Sequence, residues 1–196
     1  MTDDSMGPDE GRFRAFFICT GNRCRSPFAA RLFAHLTRDL PVDVGSAGTL
    51  DSNPYPAPPE VIGVARHQGL DLSEHKSQSL SIVDLRHADL VVGFELAHVA
   101  AAVVQVNAPA HKTFTLPELD RLLRQVGSLP EAPPVEKARM AVARAHEHRT
   151  SATRFIVGEE IKDPFGGNKR GYEDMAAQIT SMCEGIVAQL FHRRAA

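Results

Sequence analysis

Cys19-Thr20-Gly21-Asn22-Arg23-Cys24-Arg25-Ser26-Pro27 is the stretch that decides the reading of this chain. Before it, Phe13 to Cys19 (FRAFFIC) is a short apolar run, which reads as a buried strand meeting a turn at Thr20-Gly21-Asn22. After it, Phe28, Leu32, Phe33, Leu36 and Leu40 fall at helical spacing; Ser26 suits an N-cap and Pro27 the first helical position. The unit is therefore strand, tight loop, helix. A helix N-terminus offers unpaired N–H groups and a positive dipole end. A curled loop from Thr20 to Ser26, with Gly21 and Asn22 tolerating positive φ, turns more amides toward the same centre. Such a cradle binds a tetrahedral oxyanion. Arg25 adds a bidentate clamp, Cys19 sits at the bottom where the same donors favour its thiolate, and Ser26 is placed to hydrogen-bond the sulfur.

Outward from this turn the chain alternates. Val42 to Ser46 reads as a second strand, Ala57 to Gly69 as a helix with a glycine stop, and Ala88 to Phe94 as a third strand. Leu96, Val99, Ala100, Val103 and Val104 repeat at helical spacing, His111 to Leu116 is a weaker fourth strand, and Pro117 opens a helix with Leu119, Leu122, Leu123 and Val126 on one face. A last helix, about 172–192, points Met175, Ile179, Met182, Ile186 and Leu190 inward. This order implies an α/β fold: a three-layer α/β/α arrangement around a parallel four-stranded sheet. The first turn then lies at the carboxyl edge of the sheet, where open α/β sheets bind ligands.

The 196 residues fit a single domain over 13–196, preceded by a flexible acidic tail over 1–12. Residues 127–153 break the rhythm as an insertion, Pro-rich at Pro130, Pro133 and Pro134 and then basic. Val135, Ala138, Val142 and Ala145 give it an amphipathic helix. Two readings of its basic face stay open, a solvated surface and a docking face or lid for an acidic partner. A formal charge of −2 argues against a nucleic-acid partner, and no apolar run of about 18 residues suggests a membrane span. Three cysteines, Cys19, Cys24 and Cys183, argue for a reducing cytoplasm rather than a disulfide framework, and Cys183 reads as core. His146 and His148 do not form zinc spacing with Cys19 and Cys24.

The loop resembles the active-site loop of the low-molecular-weight protein tyrosine phosphatases. Ser46-Ala47-Gly48-Thr49, His75-Lys76-Ser77, Ala88-Asp89-Leu90-Val91 and Asp163-Pro164-Phe165-Gly166 are similar to further family motifs and occur in the family's order. The resemblance implies a hydrolase working through a phosphocysteine intermediate, with a phosphorylated protein as substrate, phosphotyrosine first. It implies Cys19 as nucleophile, Arg25 as phosphate clamp and Asp163 as the acid that protonates the leaving oxygen and then activates water. Ser26 would activate the thiolate, and Asn22 would hold the loop through bonds toward Ser46 and His75. Tyr55 and Phe165 would wall the pocket, and a reversible Cys19–Cys24 disulfide would guard the nucleophile. Fixed donors suffice for the phosphoryl charge, so neither metal nor cofactor is expected, and the protein is expected as a monomer or weak homodimer. Glu95 and His98 read as residues of a helix start.

The chain departs from the pattern at Arg23, where tyrosine-specific members usually carry an apolar residue and arginine phosphatases a threonine. Arg23 either points outward or recruits an acidic flank of the substrate. Protein-arginine phosphatase, thiol-coupled arsenate reductase and a non-catalytic phosphate-binding regulator are the competing functions.

Overall fold

The structure, a computed structural model, describes residues 11–51, 54–149 and 160–191. The strands β1 (Phe13–Cys19), β2 (Val42–Gly48), β3 (Leu90–Gly93) and β4 (Thr113–Thr115) form one parallel sheet in the order β2-β1-β3-β4. Phe13 to Cys19 run opposite Val42 to Gly48, and Ala15 to Ile18 opposite Leu90 to Gly93. The helices are α1 (Arg25–Leu36), α2 (Pro59–His67), α3 (Leu96–Val106), α4 (Leu116–Leu123), α5 (Pro134–Glu147) and α6 (Lys169–Phe191).

The central strand serves two cores, which is why it reads as an unbroken apolar run. Phe13, Ala15, Phe17 and Cys19 join a large cluster with α1, α2, α4, α5 and α6. Ile18 joins a smaller cluster with Ala102 of α3 and with Leu80, Leu85 and Val91, and Phe16 packs against it. Helices therefore cover both faces, giving the expected three layers. Phe17 and Phe33 are buried and meet at 5.5 Å between ring centroids. Cutting either ring to alanine would cost about 3–5 kcal/mol.

Three details differ from the sequence reading. Helix α1 starts at Arg25, with Cys24 rather than Ser26 in the N-cap position; Phe28 N already bonds Cys24 O at 3.2 Å. The curl of the loop passes straight into the helix, so Ser26 and Pro27 are inside the first turn and Ser26 is free to face the site. In α3 the buried residues are His98 and Ala102, whereas Leu96 is exposed and Val104 is 77% exposed. That helix is apolar almost all round, so spacing alone could not select its inner face.

The third correction concerns the basic face of 127–153. Helix α5 buries Val135, Ala138, Val142 and Ala145, as expected, and also Ala141, against α4 and α6. Its arginines are not all solvated. Arg139 bonds both carboxylate oxygens of Asp89 and the carbonyl of Arg12. Arg149, just past the helix, grips Glu118 with Nε at 2.8 Å and Nη2 at 3.1 Å, and lies 4.2 Å from the Phe114 ring centroid. These two cations pin the segment to the body of the fold. Most of the acidic tail (1–10) and the end of the basic segment (150–153) lie outside the described residues.

Candidate active site

The loop between β1 and α1 is held from behind. Thr49 N bonds Cys19 O and Leu50 N bonds Thr20 O, both at 3.0 Å, so the chain after β2 continues the pairing beneath the loop. A Cβ on Gly48 would stand 2.8 Å from Thr20 O and 2.9 Å from Asn22 N. Only glycine allows the loop backbone this close. Of the two residues expected to supply left-handed backbone, Asn22 does so, at φ 49, and Gly21 does not.

Asn22 is the hub. Its Nδ2 donates to Ser26 Oγ and Ser46 Oγ, both at 2.9 Å, its Oδ1 accepts from Gln78 N at 3.0 Å, and its carbonyl accepts from His75 Nε2 at 2.7 Å. Burial, partly offset by that bond, holds His75 below the usual histidine range. Ser26 Oγ accepts from Asn22 and lies 3.0 Å from Cys19 Sγ. Its own proton faces two acceptors, Ala47 O at 3.4 Å and Cys19 Sγ at 3.0 Å, and toward the nearer sulfur it would stabilise negative charge.

Arg25 has no exposed surface. Its Nη1 donates to Glu95 Oε1 and to Ile161 O at 2.9 Å; its Nη2 donates to Asp163 Oδ2 at 2.7 Å and to Thr20 Oγ1 at 3.4 Å. Its Nε has no hydrogen-bond partner among the described residues. Burial opposes the charge, but the bond to Glu95 and the negative charges of Asp163 and Cys19 outweigh it and raise the Arg25 pKa. A buried donor left unpaired is costly unless a ligand takes it.

Asp163 reaches this point through its own turn. Ile161 N bonds Phe94 O at 3.1 Å, Phe165 N bonds Asp163 Oδ1 at 3.1 Å, and Gly166 turns the chain at φ 76. Tyr55 and Phe165 are exposed and flank Arg23, whose guanidinium carbon is 5.4 and 5.0 Å from their ring centroids. Arg23 therefore sits between the two candidate pocket walls, its Nε donating to Pro56 O at 3.0 Å. Cys19 and Cys24 are both free and buried. Burial, reinforced by the charges of Asp163 and Cys19, pushes the Cys24 thiol up to about 12. Cys183 is buried in α6, and burial pushes its thiol up as well.

Glu95 and His98 hold the helix start expected of them, as N-cap and N3 of α3, and both also reach the candidate site. Glu95 pairs with Arg25. His98 Nδ1 accepts from Phe94 N and Glu95 N, so its proton is on Nε2, which bonds Thr20 Oγ1 at 3.0 Å. Burial, helped by the Arg25 charge, pulls His98 down to about 4 and keeps the ring neutral. The available signal was their position at the carboxyl end of β3, the neighbour of β1.

A model of the family described as low molecular weight phosphotyrosine protein phosphatase matches residues 14–131. The chain belongs to this family. The low molecular weight protein-tyrosine phosphatase A of Mycobacterium tuberculosis is 30% identical over 175 residues, 87% of this chain and 86% of that one. A protein-arginine-phosphatase of Geobacillus stearothermophilus is 33% identical over 105 residues, 53% of this chain and 69% of that one. The crystal structure of a low molecular weight protein tyrosine phosphatase from T. tengcongensis aligns at TM-score 0.64 and 25% identity, covering 89% of this chain and 97% of that one. Relatives of this chain are thus named for two different phosphorylated side chains.

Proposed function

We propose that this chain hydrolyses protein phosphotyrosine through a phosphocysteine intermediate. The observation that carries this is the buried Arg25: it holds Asp163 with one nitrogen and keeps Nε unpaired, in the loop where Ser26 faces Cys19. On this reading the phosphate dianion takes the Arg25 fork from Asp163 and accepts from the loop amides. Cys19 attacks phosphorus as the thiolate, and the P–O bond to the tyrosine breaks. Asp163, in its acid form, gives its proton to the leaving oxygen. Water then attacks the phosphocysteine, Asp163 takes the water's proton, and the Cys19 thiolate leaves, stabilised by Ser26. Cys24 stays a neutral thiol at neutral pH and does not compete as a nucleophile. Its role as a redox guard rests on its place in the same loop as Cys19.

Arg23 favours phosphotyrosine over phosphoarginine. Phosphoarginine brings a second guanidinium beside Arg23, whereas the ring of phosphotyrosine brings no charge to oppose it. For arsenate reduction the remaining thiol, Cys183, lies buried in α6, unsuited to carry oxidising equivalents outward. Among the described residues no helix is long and apolar enough to cross a membrane, and no three His, Cys, Asp or Glu residues are grouped to hold a metal ion.

Purified protein is expected to hydrolyse p-nitrophenyl phosphate in EDTA and to lose that activity on Cys19→Ser. Activity surviving the substitution would overturn the mechanism. Asp163→Asn is expected to slow esters with poor leaving groups more than p-nitrophenyl phosphate; equal slowing would remove Asp163 from the acid role.

A further inference from the structure

We propose that Arg23 is a specificity residue that reads a carboxylate beside the phosphorylated tyrosine, so that the enzyme prefers phosphopeptides with an acidic flank. This deepens the phosphotyrosine reading above and rests on it. Arg12, Arg86, Arg124 and Arg144 on the surface each pair with a carboxylate of this chain, Asp43, Asp84, Asp120 and Glu147 respectively, whereas Arg23, like Arg31, gives its Nε to a backbone carbonyl and makes no ion pair among the described residues. Its Nε is used by Pro56 O, and its Nη1 and Nη2 have no hydrogen-bond or ion-pair partner among the described residues.

The side chain is nevertheless held. The carbonyl of Pro56 fixes its Nε, and the Tyr55 and Phe165 rings lie within 5.4 and 5.0 Å of its guanidinium carbon. A cation positioned before the ligand arrives loses little freedom on binding, and a planar guanidinium whose Nη1–Nη2 edge is unused matches a carboxylate. Its place is also specific. Arg23 lies two residues from Arg25 in the phosphate loop and spans the two aromatic residues at the loop's mouth. A tyrosine whose phosphate sits on Arg25 must pass its ring alongside Arg23, and its peptide neighbours then reach the outer edge of the guanidinium. Arg25 itself is held by Glu95 and Asp163, so Arg23 is the arginine of the loop that keeps a guanidinium edge unpaired among the described residues. An acidic flank completes it and a basic flank opposes it.

The test is the ratio of kcat/KM for two phosphotyrosine peptides of equal length, one with aspartates and one with lysines on both sides of the phosphotyrosine. Each enzyme serves as its own reference, so a general loss of activity cancels. The native enzyme is expected to favour the acidic peptide about tenfold at low ionic strength, with the preference shrinking at 0.5 M salt. In Arg23→Met the ratio is expected to fall to within about twofold of unity, and in Arg23→Glu to invert. An unchanged ratio in both variants, or no preference in the native enzyme, would overturn the proposal and leave the phosphatase reading standing. Failure of the native enzyme to hydrolyse either peptide or p-nitrophenyl phosphate would overturn both.

Discussion

Arg25 and Arg149 are both arginines whose side chains are nearly covered and gripped by carboxylates, and they are built in opposite ways. Arg149 is complete: Nε, Nη1 and Nη2 all have partners, and its carboxylate, Glu118, is only 10% exposed. Arg25 is incomplete: Nε is unpaired, and its carboxylates Glu95 and Asp163 are 31% and 37% exposed. The first arrangement is closed and locks α4 to the chain after α5. The second is open on one side, which is what the proposed exchange of Asp163 for a phosphate requires. Burial of a charge does not separate structure from function here; the unmade bond and the exposed side of the pair do.

The comparison breaks if the two arginines respond alike. Arg25→Lys is expected to lower kcat/KM by about a thousandfold, because a lysine cannot supply the fork. Steady-state kinetics on p-nitrophenyl phosphate, with circular dichroism to verify the fold, checks it. Arg149→Met is expected to cost about 3 kcal/mol of stability, by stranding Glu118, while kcat/KM of the folded enzyme stays within about twofold. Denaturant unfolding separates the two, and Arg149→Met combined with Glu118→Gln should recover much of the loss. If Arg149→Met instead removed activity at full stability, the distinction drawn here would be wrong.

A smaller effect sharpens the electrostatics. His98 is held neutral when folded, at about 4 against 6.5 unfolded, so unfolding takes up a proton within that window. Its contribution is fully present above about pH 6.5 and is lost as pH falls toward 4, an effect of about 3 kcal/mol. His75 is shifted the same way and adds to it. Unfolding of His98→Gln at pH 7 and at pH 4.5 should show a weaker acid destabilisation than the native chain. The smallest effect belongs to the exposed Arg144–Glu147 pair: Arg144→Ala should move the melting temperature by no more than about 1 °C.

Local patterns carried most of the fold. Phe13 to Cys19 and the inner face of α5 emerge where spacing and apolarity place them, because each element's own residues decide burial there. Where a residue's fate depends on a neighbour distant in sequence, the pattern was silent. Glu95 and His98 matter because β3 lies beside β1, which nothing within residues 88–98 encodes. Arg139 and Arg149 were open to a solvated or a docking reading, and neither reading saw their partners, Asp89 and Glu118, which are 50 and 31 residues away. The residues of the candidate loop could be picked out together because they are contiguous in sequence. That Arg23 lies between Tyr55 and Phe165 was not, since those residues come from two separate loops.

Asn22 gives the loop one further property. Through it the loop is stitched to α1, to β2 and to the chain at 75–78. The entropy of ordering the loop is therefore lost when the chain folds rather than when a phosphate arrives. A loop tied to three separate parts of the fold has no private melting transition: it keeps its shape until the sheet itself opens. Turnover can then proceed without a folding step at each encounter, and a substitution at Asn22 would make the loop a mobile segment on an otherwise unaltered scaffold.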